Sequence, residues 1–128
     1  MQKKMFLKLD NVRGDSQSAR HVGEIEVTSF MWNMPNHSSG TGGRGRATVS
    51  DLVITKQQDR TSALLWVACQ TGQPFEKVVL TTEDLSEKGS LIRSIIIGLS
   101  AVVMHSMTAR EEEETITLNF EGMKLLQS

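Results

Sequence analysis

Chemistry-bearing residues are sparse in this sequence, and their spacing argues against most of the chemistry they suggest. Gly40, Gly42 and Gly45 match G-x-G-x-x-G, the pattern in which a tight turn brings a pyrophosphate to a helix N-terminus. That use needs a strand before the glycines and a helix after them, whereas a β-rich segment follows here. Gly40 and Gly45 also approach a P-loop, but Arg46 and Ala47 stand where Lys and Ser or Thr would meet phosphate and metal. His21, His37 and His105 fall on separate elements without ligand spacing. No Ser/His/Asp or Cys/His set has a signature spacing. Cys69 is the only cysteine; it permits no intrachain disulfide, and its apolar setting makes it a small core residue. Glu111 to Glu114 reads as a solvated, like-charge turn, and Asn36-His37-Ser38 as a chance glycosylation match in a chain without a secretory signal. The residues therefore predict no catalytic group, no cofactor and no metal.

Bulk properties narrow the class further. A chain of 128 residues suits one domain, 1–128, with a substantial core. A formal net charge of −1 lacks the basic face that nucleic acid requires, and it leaves little self-repulsion to oppose association. Lys3 and Lys4 precede an apolar start, but Lys8 and Asp10 interrupt it too early for a signal peptide. No stretch approaches the length of a membrane span, so no membrane insertion is expected.

The elements that must position these residues are mostly strands. Asp51 to Lys56 carries Val53, Ile54 and Thr55 and suits a half-buried strand. Thr61 or Ser62 can cap a helix running through Ala63 to Cys69, with Gly72 at the left-handed C-cap and Pro74 preventing continuation. That helix is apolar all round, which predicts burial on most sides. Met5 to Leu9 is the expected first strand, and His21 to Trp32 a long second one. Ile25 and Val27 have one parity, Phe30 and Trp32 the other; a period of two cannot bury both pairs on one side. Either a bulge or face switch lies near Thr28 and Ser29, or both faces are covered. Asn33 to Arg46 is rich in glycine and serine and reads as a flexible loop into a third strand near Ala47. Glu76 to Thr82 is a strand, Glu83 to Gly89 a polar connection, and Leu91 to Ile97 and Leu99 to Met107 two strands that pair around Gly98 and Ser100. After a turn at Ala109 to Glu114, Thr115 to Lys124 closes the chain. Seven or eight strands and one helix predict a mainly β fold, a small antiparallel barrel or sandwich.

Together these segments resemble a known family. His21-Val22-Gly23-Glu24-Ile25-Glu26-Val27, the aromatics ending at Trp32, and Ile54-Thr55-Lys56 followed by Asp59 are similar to haemolysin-coregulated protein, Hcp. So are Leu64-Leu65 with Ala68-Cys69 and Gly72, the closing Thr117-Leu118-Asn119-Phe120, and the opening Met5-Phe6-Leu7-Lys8 with Gly14-Asp15-Ser16. Ala63 stands where relatives often have proline, and Leu125 to Ser128 replaces a common Tyr-x-Pro ending. From this short ending no fused toxin domain is expected.

The resemblance implies a non-enzymatic tube subunit of bacterial type VI secretion. It implies homohexameric rings, stacked into a tube that carries effector proteins, driven by a contractile sheath and tipped by a VgrG spike. It also implies assembly in the bacterial cytoplasm, then secretion without a signal peptide. A monomeric β-barrel binding module is the alternative from another class. If the chain switches faces near Thr28, Ser29 and Met31 point away from the core and toward the lumen; the competing reading makes Met31 ordinary core. Asn36, His37, Ser38, Arg44 and Arg46 are candidates for contacts within a ring or between rings, unless that loop is simply solvated.

Overall fold

The computed structural model describes residues 2–33 and 50–127. Within them lie eight strands and one helix: β1 Gln2–Leu9, β2 Ile25–Val27, β3 Ser29–Asn33, β4 Ser50–Gln57, α1 Ser62–Thr71, β5 Pro74–Leu85, β6 Leu91–Arg110, β7 Glu113–Phe120 and β8 Gly122–Gln127. All pairings are antiparallel. The strands follow one another as β2-β1-β5-β6-β7-β4-β3, with β8 paired to β6.

The 20 residues of β6 form one strand rather than the expected pair. Its partner on one side changes along its length: β8 lies opposite Ile95 to Ser100, then β7 opposite Val103 to Arg110. β5 flanks the other side as far as Val103. Two irregularities let so long a strand serve both halves. Ala101 has φ of 53°, and the register shifts between Met104 and Ser106. As a result Leu99 and Val102, and again Met104 and Met107, are all buried although each pair is three residues apart. A bulge that inserts one residue has this effect on facing.

The chain crosses between the two halves a second time at Thr28. β2 pairs with β1, β3 pairs with β4, and Thr28 between them donates its N–H and hydroxyl to the Thr55 carbonyl. This is the anticipated face switch, with Ile25 and Val27 buried before it and the parity reversed after it. Among the described residues the hydrogen-bonded sheet does not close into a full barrel; its two ends are joined covalently at Thr28. Leu7, Leu9, Ile25, Val78, Leu80 and Ile97 from one half meet Leu52, Ile54, Ile116, Leu118 and Phe120 from the other in a single apolar core.

Several boundaries differ from the sequence reading. The strand expected from His21 starts at Ile25 instead, because His21 to Gly23 is a turn. Gly23 has φ of 80°, and backbone bonds from Gly14 N to Gly23 O and Gly23 N to Ser16 O hold it. Gly14 itself lies so close to Glu24 that a Cβ would sit 2.5 Å from that carbonyl oxygen. β5 continues through Glu83 and Asp84 to Leu85, since both carboxylates are buried against cations rather than solvated. The closing segment is two strands, β7 and β8, separated at Glu121. The expected third strand near Ala47 is seen from Ser50, and the preceding loop lies outside the described residues.

The helix begins and ends where expected, by a partly different device. Neither Thr61 nor Ser62 caps it in the anticipated way; Thr61 makes no side-chain cap bond. The Asp59 carboxylate instead accepts from Thr61 N–H at 2.8 Å and from its hydroxyl at 2.6 Å. At the other end Gly72 takes φ of 71°, and Gln73 N–H closes onto the Ala68 carbonyl at 3.0 Å, a left-handed C-cap. Burial does not follow the sequence reading. Only Ser62, Leu65 and Ala68 are buried, one stripe against β6, while Leu64, Trp66 and Val67 are exposed.

Candidate functional site

The strand half β3-β4-β7-β6 presents one open face. Because directly opposed residues share a side of a sheet, its composition follows from the register. Met31 lies opposite Val53, Val53 opposite Thr117, and Thr117 opposite Ser106. The adjacent row is Ser29, Thr55, Thr115 and Thr108. Asp51 and Asn119 continue the face, joined by a hydrogen bond from the Asn119 amide to the Asp51 carboxylate. The intervening rows point inward: Phe30, Ile54, Ile116, Met107, and Trp32, Leu52, Leu118, Met104. This clean alternation is what a sheet packed on one side requires.

The open face is built of small hydroxyl and β-branched side chains around one flexible thioether. Met31 is 61% exposed, so it is not a core residue. Ser29 is exposed beside it. The two candidates named from the sequence thus fall on one face, in neighbouring rows. Sequence reading missed Val53, Thr55, Thr115 and Thr117, although their period-two alternation with Ile54, Ile116 and Leu118 was the available signal. Asn36, His37, Ser38, Arg44 and Arg46 lie outside the described residues.

Two edges of this half are unpaired among the described residues. β3 ends the sheet. β5 pairs with β6 only as far as Pro74 opposite Val103, leaving that side of β6 open from Met104 to Arg110.

Charged groups are buried elsewhere in ways the sequence reading did not anticipate. Lys56 is fully buried, with Nζ 2.6 Å from Glu114 Oε1 and 3.2 Å from Asp59 Oδ1. Ser62 Oγ donates to the same Glu114 oxygen at 2.9 Å. Glu114 Oε2 is buried with no hydrogen-bond partner among the described residues. Glu114 is therefore no part of a solvated turn; it ties β7 to the start of α1. The second cluster centres on His21, which stacks on Phe6 with ring centroids 4.2 Å apart. Its Nδ1 lies 3.1 Å from Glu24 and its Nε2 3.0 Å from Glu83, which also accepts from Arg20. Burial pushes the Glu83 carboxyl up, but the hydrogen bonds and charges of Arg20 and His21 outweigh it and hold Glu83 below its ordinary range. Hydrogen bonds from Lys3 and Arg93 likewise hold Asp84 down. Among the described residues no group of three or more His, Cys, Asp and Glu is arranged to hold a metal ion.

Comparison with known proteins decides the family. Residues 6–126 match the family described as "Type VI secretion system effector, Hcp". The chain belongs to the Hcp family. It is 31% identical over 126 residues to "Protein hcp1" of Pseudomonas aeruginosa, covering 91% of this chain and 77% of the relative. Its fold matches the crystal structure of Hcp1 from Salmonella typhimurium with a TM-score of 0.75 at 23% identity, over 99% of this chain and 94% of that one. A structure described as a type six secretion system protein matches with a TM-score of 0.76 at 27% identity, over 97% and 83%. Hcp proteins are structural components of type VI secretion, of tube type and secreted by that route, and not enzymes. No described helix of this Hcp chain is long and apolar enough to cross a membrane.

Proposed function

We propose that this Hcp chain forms homohexameric rings that stack into the type VI secretion tube, with the Ser29/Met31 face lining the lumen and contacting effectors. The observation that carries the reading is the pair of open edges on either side of that one face. Along β6, β7, β4 and β3 the chain direction alternates at each step. A following copy's β3 would therefore meet the open edge of β6 antiparallel, the same pairing found throughout the protomer. Joining unlike edges is a heterologous contact, which closes into a ring when the rotation permits. Pairing of this kind also removes two exposed sheet edges, which are an aggregation hazard if left open.

The composition of the face supports a passage for varied cargo. Thr, Ser and Asn side chains keep it wet, and Met31 adds an adaptable apolar contact of low specificity. Asn36, His37, Ser38, Arg44 and Arg46 are proposed to hold one ring on the next, and VgrG spike and contractile sheath are the proposed partners at the tube's tip and outer wall. Electron microscopy of the purified protein tests the reading. Six-fold rings with an open centre are expected; solid particles or particles without rotational symmetry would refute it.

A further inference from the structure

We propose that the exposed apolar side of α1 is a seat for Phe30 of the next copy, so that each helix clamps its neighbour's edge strand. The inference rests on the ring reading above and adds the side-chain contact that secures each junction.

The helix carries no charged residue. Its buried stripe accounts for Leu65 and Ala68, yet Leu64, Trp66 and Val67 remain 46%, 43% and 55% exposed. A surface helix normally turns polar residues outward, and a contiguous apolar patch marks a contact surface. Of these three, Trp66 stands three residues before Cys69 and shares its side of the helix, and that side lies beside the open edge of β6; Leu64 and Val67 lie on the other flank. Cys69 Sγ is 4.0 Å from the Met104 carbonyl oxygen, just past the point where β5 leaves β6. Leu65 and Ala68 share the core with Met104 and Met107, so α1 covers the core-facing side of the sheet there.

The complementary feature is at the opposite edge. Phe30 belongs to the inward row with Ile54, Ile116 and Met107. Ile54 and Ile116 are sealed, but Phe30 lies on the last strand and is 36% exposed. Trp32, on the same strand, is already stacked on Phe120 of its own chain with centroids 5.3 Å apart. When β3 of the next copy extends the sheet past β6, its Phe30 continues the row beyond Met107, on the side that α1 covers. Among the described residues, each protomer thus has one aromatic ring left partly uncovered and one apolar helix side left without an occupant. A heterologous ring pairs every one of them, which identifies the occupant as a second copy of this chain.

Disulfide trapping tests the clamp in a Cys69→Ala background. Phe30→Cys combined with Trp66→Cys should give a ladder of covalent oligomers up to six on mild oxidation or with a short bismaleimide, and Phe30→Cys combined with Val67→Cys, on the far flank of the helix, should not. Each single cysteine should give no ladder beyond dimers. Trp66→Glu, at an exposed position, should melt like the parent as a protomer yet lose the ring by native mass. Parent hexamers that yield no ladder with the Phe30/Trp66 pair and persist in Trp66→Glu would overturn the clamp and leave the ring reading standing. A monomeric parent would overturn the ring reading, and the clamp with it.

Discussion

Replacing Glu114 is the sharpest probe of how the helix is fixed to the sheet. Lys56 and Glu114 are 0% and 1% exposed, directly opposed across β4 and β7, and 2.6 Å apart. Glu114→Ala leaves the buried Lys56 ammonium with Asp59, at 3.2 Å, as its remaining carboxylate, and it removes the acceptor for Ser62 Oγ. Breaking a buried pair from one side costs about 3–5 kcal/mol, and the surviving Asp59 places this case near the lower end. With a urea slope of about 2 kcal/mol/M, the unfolding midpoint should fall by about 1.5 M. The double variant Lys56→Met/Glu114→Leu removes both charges along with the unpartnered Glu114 oxygen. Apolar replacement of buried pairs is often neutral or stabilising, and the lost Ser62 bond costs about 1 kcal/mol. The double variant should therefore lie within about 2 kcal/mol of the parent and above Glu114→Ala. Urea titration at equal protomer concentration is the assay, since assembly shifts apparent stability. A Glu114→Ala midpoint equal to the parent's, or a double variant less stable than the single, would refute the reasoning.

Other perturbations address separate parts of the account. Glu83 and Asp84 are held below their ordinary values of 4.5 and 3.8, so the stability they supply is full above those values and is lost as pH falls through the lower folded ones. Thermal melts should be flat from neutral pH to about 5 and drop below about 4.5, and Glu83→Gln should shrink the drop; an unchanged acid profile would count against this assignment. Leu65 is fully buried, and Leu65→Asp places a carboxylate there at a cost of several kcal/mol, so insoluble protein is expected and a soluble hexamer is the contrary result. Met31→Gln should leave rings intact and change effector retention in pull-down; ring loss would place Met31 in an interface instead. Deleting Ser38 to Arg44 should leave hexamers by native mass while suppressing tubes under the electron microscope; normal tubes would exclude a stacking role for that segment.

Much of the architecture is legible from parity alone. Leu52 and Ile54, and Ile116, Leu118 and Phe120, alternate strictly, and they form the inward rows of β4 and β7. The reversal between Ile25/Val27 and Phe30/Trp32 signals the crossing at Thr28, and Gly72 marks the helix end. The same parity also held information that charge obscured. Lys56 continues the buried side of Leu52 and Ile54, and Glu114 that of Ile116 and Leu118, with opposite signs face to face. β6 was illegible as one strand because its neighbour changes from β8 to β7 midway, and strands of 20 residues are rare. Gly98 and Ser100 imitate a turn that does not form. The helix misled for another reason: an apolar sequence requires burial without saying whether the protomer or a neighbour supplies it. Ser29 and Met31 were found by the face switch, whereas their companions on the open face needed the register between four strands.

Native mass spectrometry of the purified chain tests the central claim most directly. A six-membered ring made by joining β3 to β6 of the next copy predicts a dominant species at six times the 14.2 kDa of one chain. A stable monomer at micromolar concentration would contradict it and favour a β-barrel module that binds its partner singly.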